Sequence, residues 1–288
     1  MSRHIRPAEV PFLRDLTVDA YHAAEPGLTA QLPSREVQEV LVCLRARRAA
    51  LEAASLSFVS GGLVHLAQET VGALPAWTPD GVLPVEPTLT MFKTPLTSIE
   101  SIGGDGKHFR ATVDGVLCWR EPEGYLMVAM SRTRPPGFPP GRELVAVGVV
   151  QQAPGGLQPP PVADAQLPNP RDDLDRLAHL LGALFLLLRQ PSTAETTPQM
   201  VEQRKHGGQK LAQPREVAVS YRTLAGGLGN HRRGGHAATT RWWVRGHWRQ
   251  QRWGPGGHLR KPVYILPHTA GAQDVPVSTR PQVQVHQT

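Results

Sequence analysis

Near the N-terminus apolar residues recur at helical spacing, with Val10, Leu13, Leu16 and Ala20 defining one face of a helix over 8–24 despite Pro11. Ser34 reads as the N-cap of a second helix in which Val37, Val40, Leu41, Leu44, Arg48 and Leu51 keep the same spacing. Glu36 and Glu39 fall at its start, where the helix dipole favours acid, and Arg45 and Arg47 on its exposed face. The stretch 56–71 fits a strand and a helix continuation equally well. After Pro87 the period drops to two, and 88–94, 108–113, 116–120, 125–130 and 143–150 read as strands. Asp114-Gly115 reads as a two-residue hairpin turn and Pro122-Glu123-Gly124 as the next turn. The pattern predicts an antiparallel meander with helices in front of it.

A Gly/Pro-rich connector over 154–170 leads to a Leu-rich helix that opens at Asp172 and closes at Pro191. Leu174, Leu177, Leu180, Leu181, Leu184 and Leu188 form its apolar side, and Asp172, Asp173 and Asp175 sit in its first turn. Its apolar run of about twelve residues is too short to span a bilayer, so it reads as a core helix. The pattern therefore predicts an α+β chain with an N-terminal domain over 1–191. A basic, flexible linker over 192–239 follows, with a short strand at 216–223 and glycine pairs at Gly226-Gly227 and Gly234-Gly235. A small β-module over 240–271 and a disordered tail over 272–288 complete the chain.

Composition sharpens this division. The chain has 288 residues, 28 of them glycine and 28 proline, so loops take a large share. Two cysteines, Cys43 and Cys118, exclude a disulfide framework and a Cys-rich metal centre, and Cys118 beside Trp119 reads as a core residue. No run of 18 apolar residues and no signal-peptide pattern occurs, so a cytoplasmic protein without a membrane partner is expected. Residues 1–200 carry 17 Lys and Arg against 21 Asp and Glu, whereas 201–271 carry 13 against 2. Six of the twelve histidines and four of the six tryptophans share that basic segment. Such a segment either binds polyanions or packs on acidic surface of its own chain.

Familiar motifs fail on spacing. Gly103-Gly104-Asp105-Gly106-Lys107 lacks the Ser or Thr of a phosphate loop and reads as a connection between strands. Gly226-Gly227-Leu228-Gly229 lacks the strand and third glycine of a dinucleotide fingerprint. His231 and His236 have no carboxylate or thiol beside them, so no metal and no cofactor is expected.

The stretch 241–250 separates cleanly at period two. Arg241, Trp243, Arg245, His247 and Arg249 face one way; Trp242, Val244, Gly246 and Trp248 face the other. Arg252 and Trp253 follow in a Gly/Pro loop, and a return strand over 261–266 begins beside Arg260 and Lys261 and ends near Tyr264 and His268. Guanidiniums grip phosphates bidentately and aromatic rings stack bases at about 1–3 kcal/mol each, so the nine residues Arg241, Trp243, Arg245, His247, Arg249, Arg252, Trp253, Arg260 and Lys261 read as a nucleic-acid platform. RNA or single strands suit it better than duplex DNA, because no recognition helix is evident. Two rivals remain. One is metal-independent endoribonuclease chemistry of a toxin-like kind. In it His247 moves the proton, Arg245 and Arg249 steady the phosphoryl oxygens, and Lys261 or Tyr264 assists from the return strand. The other is a non-enzymatic module that docks an acidic protein partner.

The run Trp243-Val244-Arg245-Gly246-His247-Trp248-Arg249-Gln250-Gln251, then Gly254-Pro255-Gly256, Arg260-Lys261-Pro262-Val263-Tyr264-Ile265 and Pro267-His268, resembles a C-terminal signature of uncharacterised proteins from actinobacteria, their phages and mobile elements. The resemblance covers about thirty residues closely. It implies a bacterial cytosolic protein of a mobile element, and it brings no activity and no catalytic residue with it.

Overall fold

Strand β1 (Ser55–Val59) lies inside a seven-stranded mixed sheet, hydrogen-bonded to parallel neighbours on both sides. In this computed structural model the described residues are 4–30, 35–102, 106–136, 141–153, 170–201, 215–222, 241–244 and 246–270. Ahead of β1 run helices α1 (Val10–Thr29) and α2 (Arg35–Ala53); after it come α3 (Gly61–Thr70), β2 (Thr88–Phe92), β3 (Thr97–Ile102), β4 (His108–Val113), β5 (Gly115–Glu121), β6 (Gly124–Ser131) and β7 (Val145–Gln152). Helix α4 (Pro170–Leu188) leads to β8 (Ala194–Val201) and β9 (Arg215–Arg222). Four C-terminal strands close the order: β10 (Trp242–Val244), β11 (His247–Trp253), β12 (Leu259–Ile265) and β13 (His268–Ala270). The sheet runs β7-β6-β5-β2-β1-β9-β8, with β2, β1 and β9 parallel and every other pairing antiparallel. The chain is thus α+β, as its pattern predicts, but the sheet is mixed where an antiparallel meander was expected, because β1 and β9 enter it parallel to β2.

Both faces of the sheet are buried. Val116 and Cys118 of β5 join Met127 and Ala129 of β6 in a core beneath α3, α4 and the β3–β4 hairpin. Leu117, Trp119, Val128 and Met130 point the other way, into a core shared with Val10 and Leu13 of α1 and Leu51 of α2. A sheet covered on both sides replaces alternation by continuous apolar runs, as in Val116-Leu117-Cys118-Trp119. Helix α4 is apolar nearly all round because it is the central element of the first core. At its N-terminus the buried Asp173 carboxylate accepts the Glu100 backbone N–H at 2.8 Å and so fastens β3 to the helix.

Four further features differ from the sequence expectation. The ambiguous stretch 56–71 divides into β1 and α3 at Ser60. Strand β3 lies where the pattern shows none. Asp114-Gly115 is not a hairpin turn, since β4 pairs with β3 while β5 lies between β2 and β6. Asp114 is instead a buried junction whose carboxylate accepts the Arg132 N–H at 2.8 Å and the Thr112 hydroxyl at 3.0 Å. The fourth concerns the boundary expected at residue 191. The segment expected as a linker supplies β8 and β9, and β9 enters the sheet interior beside β1, with Val217 and Val219 fully buried. The Ser34 cap, the connector 154–169, the glycine pairs, His231, His236 and the tail lie outside the described residues.

The Cys118 thiol is buried, and desolvation pushes its pKa up from 9.0 to about 12. A neutral thiol in the folded state and an ionised one in the unfolded state make folding weaken as pH rises. The stabilisation is fully present below 9 and lost progressively as pH approaches the folded value. Urea titrations between pH 8 and about 11 should therefore show a fall in stability that Cys118→Ala makes shallower. Exposed Cys43 should react with a thiol reagent in the native state, and Cys118 only after unfolding.

Candidate nucleic-acid interface

Pairing of β11 with β12 runs from His247 opposite Ile265 to Trp253 opposite Leu259, and pairing of β10 with β13 sets Val244 opposite His268. Both ladders share one register, so the four strands form a single antiparallel ribbon interrupted between 244 and 247 and between 265 and 268. Pro267 has no N–H to give to the ladder at that interruption. The distal turn is built on Gly254, Gly256 and Gly257, all with positive φ, around Pro255.

Residues directly opposite in an antiparallel pair share a face. One face of β11–β12 therefore carries His247, Arg249, Gln251 and Trp253 with Leu259, Lys261, Val263 and Ile265. The other carries Trp248, Gln250 and Arg252 with Arg260, Pro262 and Tyr264. This second face docks. The Trp248 indole N–H donates to the Thr70 carbonyl at 3.2 Å, and its ring meets Tyr264 edge-on at 5.2 Å. The Gln250 amide donates to the Ala76 carbonyl at 2.9 Å, and the Tyr264 N–H to the Gln190 side-chain oxygen at 2.8 Å. Tyr264 is a member of the core under α3 and α4, and Trp248 and Leu266 pack against it. The ribbon is thus seated on the body of the protein.

The expected site residues fall into three groups. His247, Arg249, Trp253 and Lys261 stand exposed on the open face, where the Lys261 ammonium lies 5.5 Å from the centre of the Trp253 ring. Arg252 and Arg260 are exposed on the other face, directly opposite each other, beyond the docked portion. Arg241 is half-buried at the start of the ribbon; Arg245 and the Trp243 side chain lie outside the described residues. Of the tryptophans, Trp248 is a docking residue and Trp253 a surface one.

The geometry corrects the assistance expected for His247. Tyr264 is buried on the opposite face. Lys261 shares the face of His247 but lies four residues along the ribbon from the position opposite it, about 13 Å away. Arg249 is the expected partner that the ribbon keeps two residues from His247 on the same face. Among the described residues no three His, Cys, Asp or Glu side chains gather as metal ligands, and no helix is long and apolar enough to cross a membrane.

A second gathering of cations escaped the sequence reading. The parallel strands β2, β1 and β9 end together, where the Lys93 N–H donates to the Val59 carbonyl and the Ser60 N–H to the Ser220 carbonyl. Helix α3 opens at this edge with Gly61-Gly62, close to the Lys93 and Arg222 stems. Ser60-Gly61-Gly62 between an apolar run and a helical one was the signal for it. Lys93 is exposed and Arg222 half-exposed, and among the described residues nothing at this edge singles out a ligand.

No family model, curated protein or solved structure matches the chain.

Proposed function

We propose that this chain binds nucleic acid and that the β10–β13 ribbon is the binding element. One observation carries the reading: Arg249, Arg252, Arg260 and Lys261 stand exposed on a projecting ribbon within a stretch, 217–273, that contains no Asp or Glu. Guanidiniums without carboxylate neighbours meet phosphate oxygens at little desolvation cost, and each phosphate neutralised releases counterions. Trp253, about half exposed, adds a ring on which a base can stack. The sequence favours RNA or single strands because it shows no recognition helix, and a two-stranded ribbon is a different element of groove size. The resemblance of the C-terminal run would set this binding on a bacterial mobile element.

Retention of labelled total RNA and of sheared DNA, in EDTA, tests the reading with wild type, Arg249→Ala/Lys261→Ala and His247→Ala. Wild type and His247→Ala should retain nucleic acid near 0.1 M salt and leave it intact, while the double variant should lose about tenfold in affinity. RNA fragments formed by wild type and not by His247→Ala would establish the ribonuclease reading instead. Failure to retain either polymer would overturn the proposal and favour an acidic protein partner.

A further inference from the structure

We infer that the distal part of the ribbon, 249–261, enters the major groove of duplex DNA, with phosphates of the two strands contacted from its two faces. The inference rests on the nucleic-acid reading above and names the polymer. Its basis is the division of charge. Arg249 and Lys261 are diagonal neighbours on the face of Trp253, whereas Arg252 and Arg260 oppose one another on the reverse face. Like charges directly across a ribbon oppose its pairing. No carboxylate of the described residues pairs with Arg249, Arg252 or Arg260, so among the described residues this repulsion stands uncompensated. A single strand laid on the open face would neutralise Arg249 and Lys261 and leave the opposed pair as it was. A polyanion on both sides relieves both.

Dimensions point the same way. Among the described residues, the outermost hydrogen bond from β11 to the body is that of the Gln250 amide to the Ala76 carbonyl. Beyond it, residues 251–253 extend about 10 Å before the turn, and every residue from 251 to 261 except Gly257 is exposed. The major groove of B-DNA is about 8.5 Å deep and about 12 Å wide. A single sheet layer with its side chains occupies about 10 Å, so the ribbon fills the groove with one face toward each phosphate wall. The deep, narrow major groove of duplex RNA has no room for it. Trp253 and Leu259, opposite each other beside the turn and both about half exposed, then reach the groove floor as apolar contacts.

The test is fluorescence anisotropy of the full chain, across a salt series, with a labelled DNA duplex of about two helical turns, each of its strands alone, and the RNA duplex of the same sequence. Wild type should bind the DNA duplex at least about tenfold more tightly than the other three. Arg252→Gln/Arg260→Gln and Arg249→Gln/Lys261→Gln should each weaken duplex binding about tenfold, and each should make the salt slope shallower by about 1.8. Arg252→Lys/Arg260→Lys should restore the slope. Single strands or RNA bound as tightly as the duplex, or an Arg252→Gln/Arg260→Gln protein that binds like wild type, would overturn the groove inference and leave the nucleic-acid reading standing. No binding to any of the four would overturn both.

Discussion

Ended at residue 190, the chain should show no cooperative thermal transition by far-ultraviolet circular dichroism. Such a fragment lacks β9, whose residues Val217 to Ser220 pair with Leu56 to Val59 of β1, and so turns an interior parallel strand into an edge. It also loses Val201, Val217 and Val219 from the core beneath α1 and α2, and Tyr264 with Trp248 from the opposite core. Full burial of one such side chain contributes about 1.5–3 kcal/mol, and a domain's whole stability is about 5–15 kcal/mol. The missing side chains alone reach that range. The single substitution Val219→Asp should act in the same direction in the full chain, costing more than about 4 kcal/mol by placing a carboxylate without a partner in the core. A fragment that melts as cooperatively as the full chain would show that residues 1–190 fold without β8 and β9.

Gly182→Val should be the next most damaging change. Gly182 lies within α4, where a glycine costs about 1 kcal/mol relative to alanine, so helix propensity alone favours its replacement. The space over its Cα is already taken by the ring of Trp77, which is buried in the first core, and a Cβ would fall well inside that ring's contact distance. Valine must displace either Trp77 or the helix, at a cost on the order of 3 kcal/mol or more. Urea unfolding should record this as a lower midpoint with an unchanged slope. A midpoint at or above the wild-type value would show that Trp77 does not fill the space.

What could be read from the amino acids follows from how many faces of each element are buried. Helix α4 was legible from its leucines and its acidic first turn. Strand β11 was legible because Trp248 docks while His247 and Arg249 stay in solvent, which preserves a period of two. Strand β5 was legible as a strand over 116–120, but its burial on both faces was not, because α1 and α2 cover one face and α4 the other. Asp114-Gly115 looked like a turn because strands flank it, and only the non-local pairing of β4 with β3 rules a turn out. Strand β8 carries Glu195, Thr196, Thr197, Pro198 and Gln199 exposed on a sheet edge, a composition indistinguishable from a linker. At the ribbon, the basic and aromatic residues were visible one by one. Their distribution was not, since the burial of Tyr264 and the opposition of Arg252 to Arg260 depend on a register that spacing along one strand does not set.

The central claim is that the projecting end of the ribbon holds nucleic acid. It is tested most directly by replacing residues 251–261 with Asn-Gly, a two-residue turn that keeps Gln250 opposite Pro262 and preserves the docked Trp248 and Tyr264. Anisotropy with labelled DNA and RNA should show binding by the wild type and its loss in the shortened protein, with the two melting alike. A shortened protein that melts like the wild type and binds with equal affinity would contradict the account.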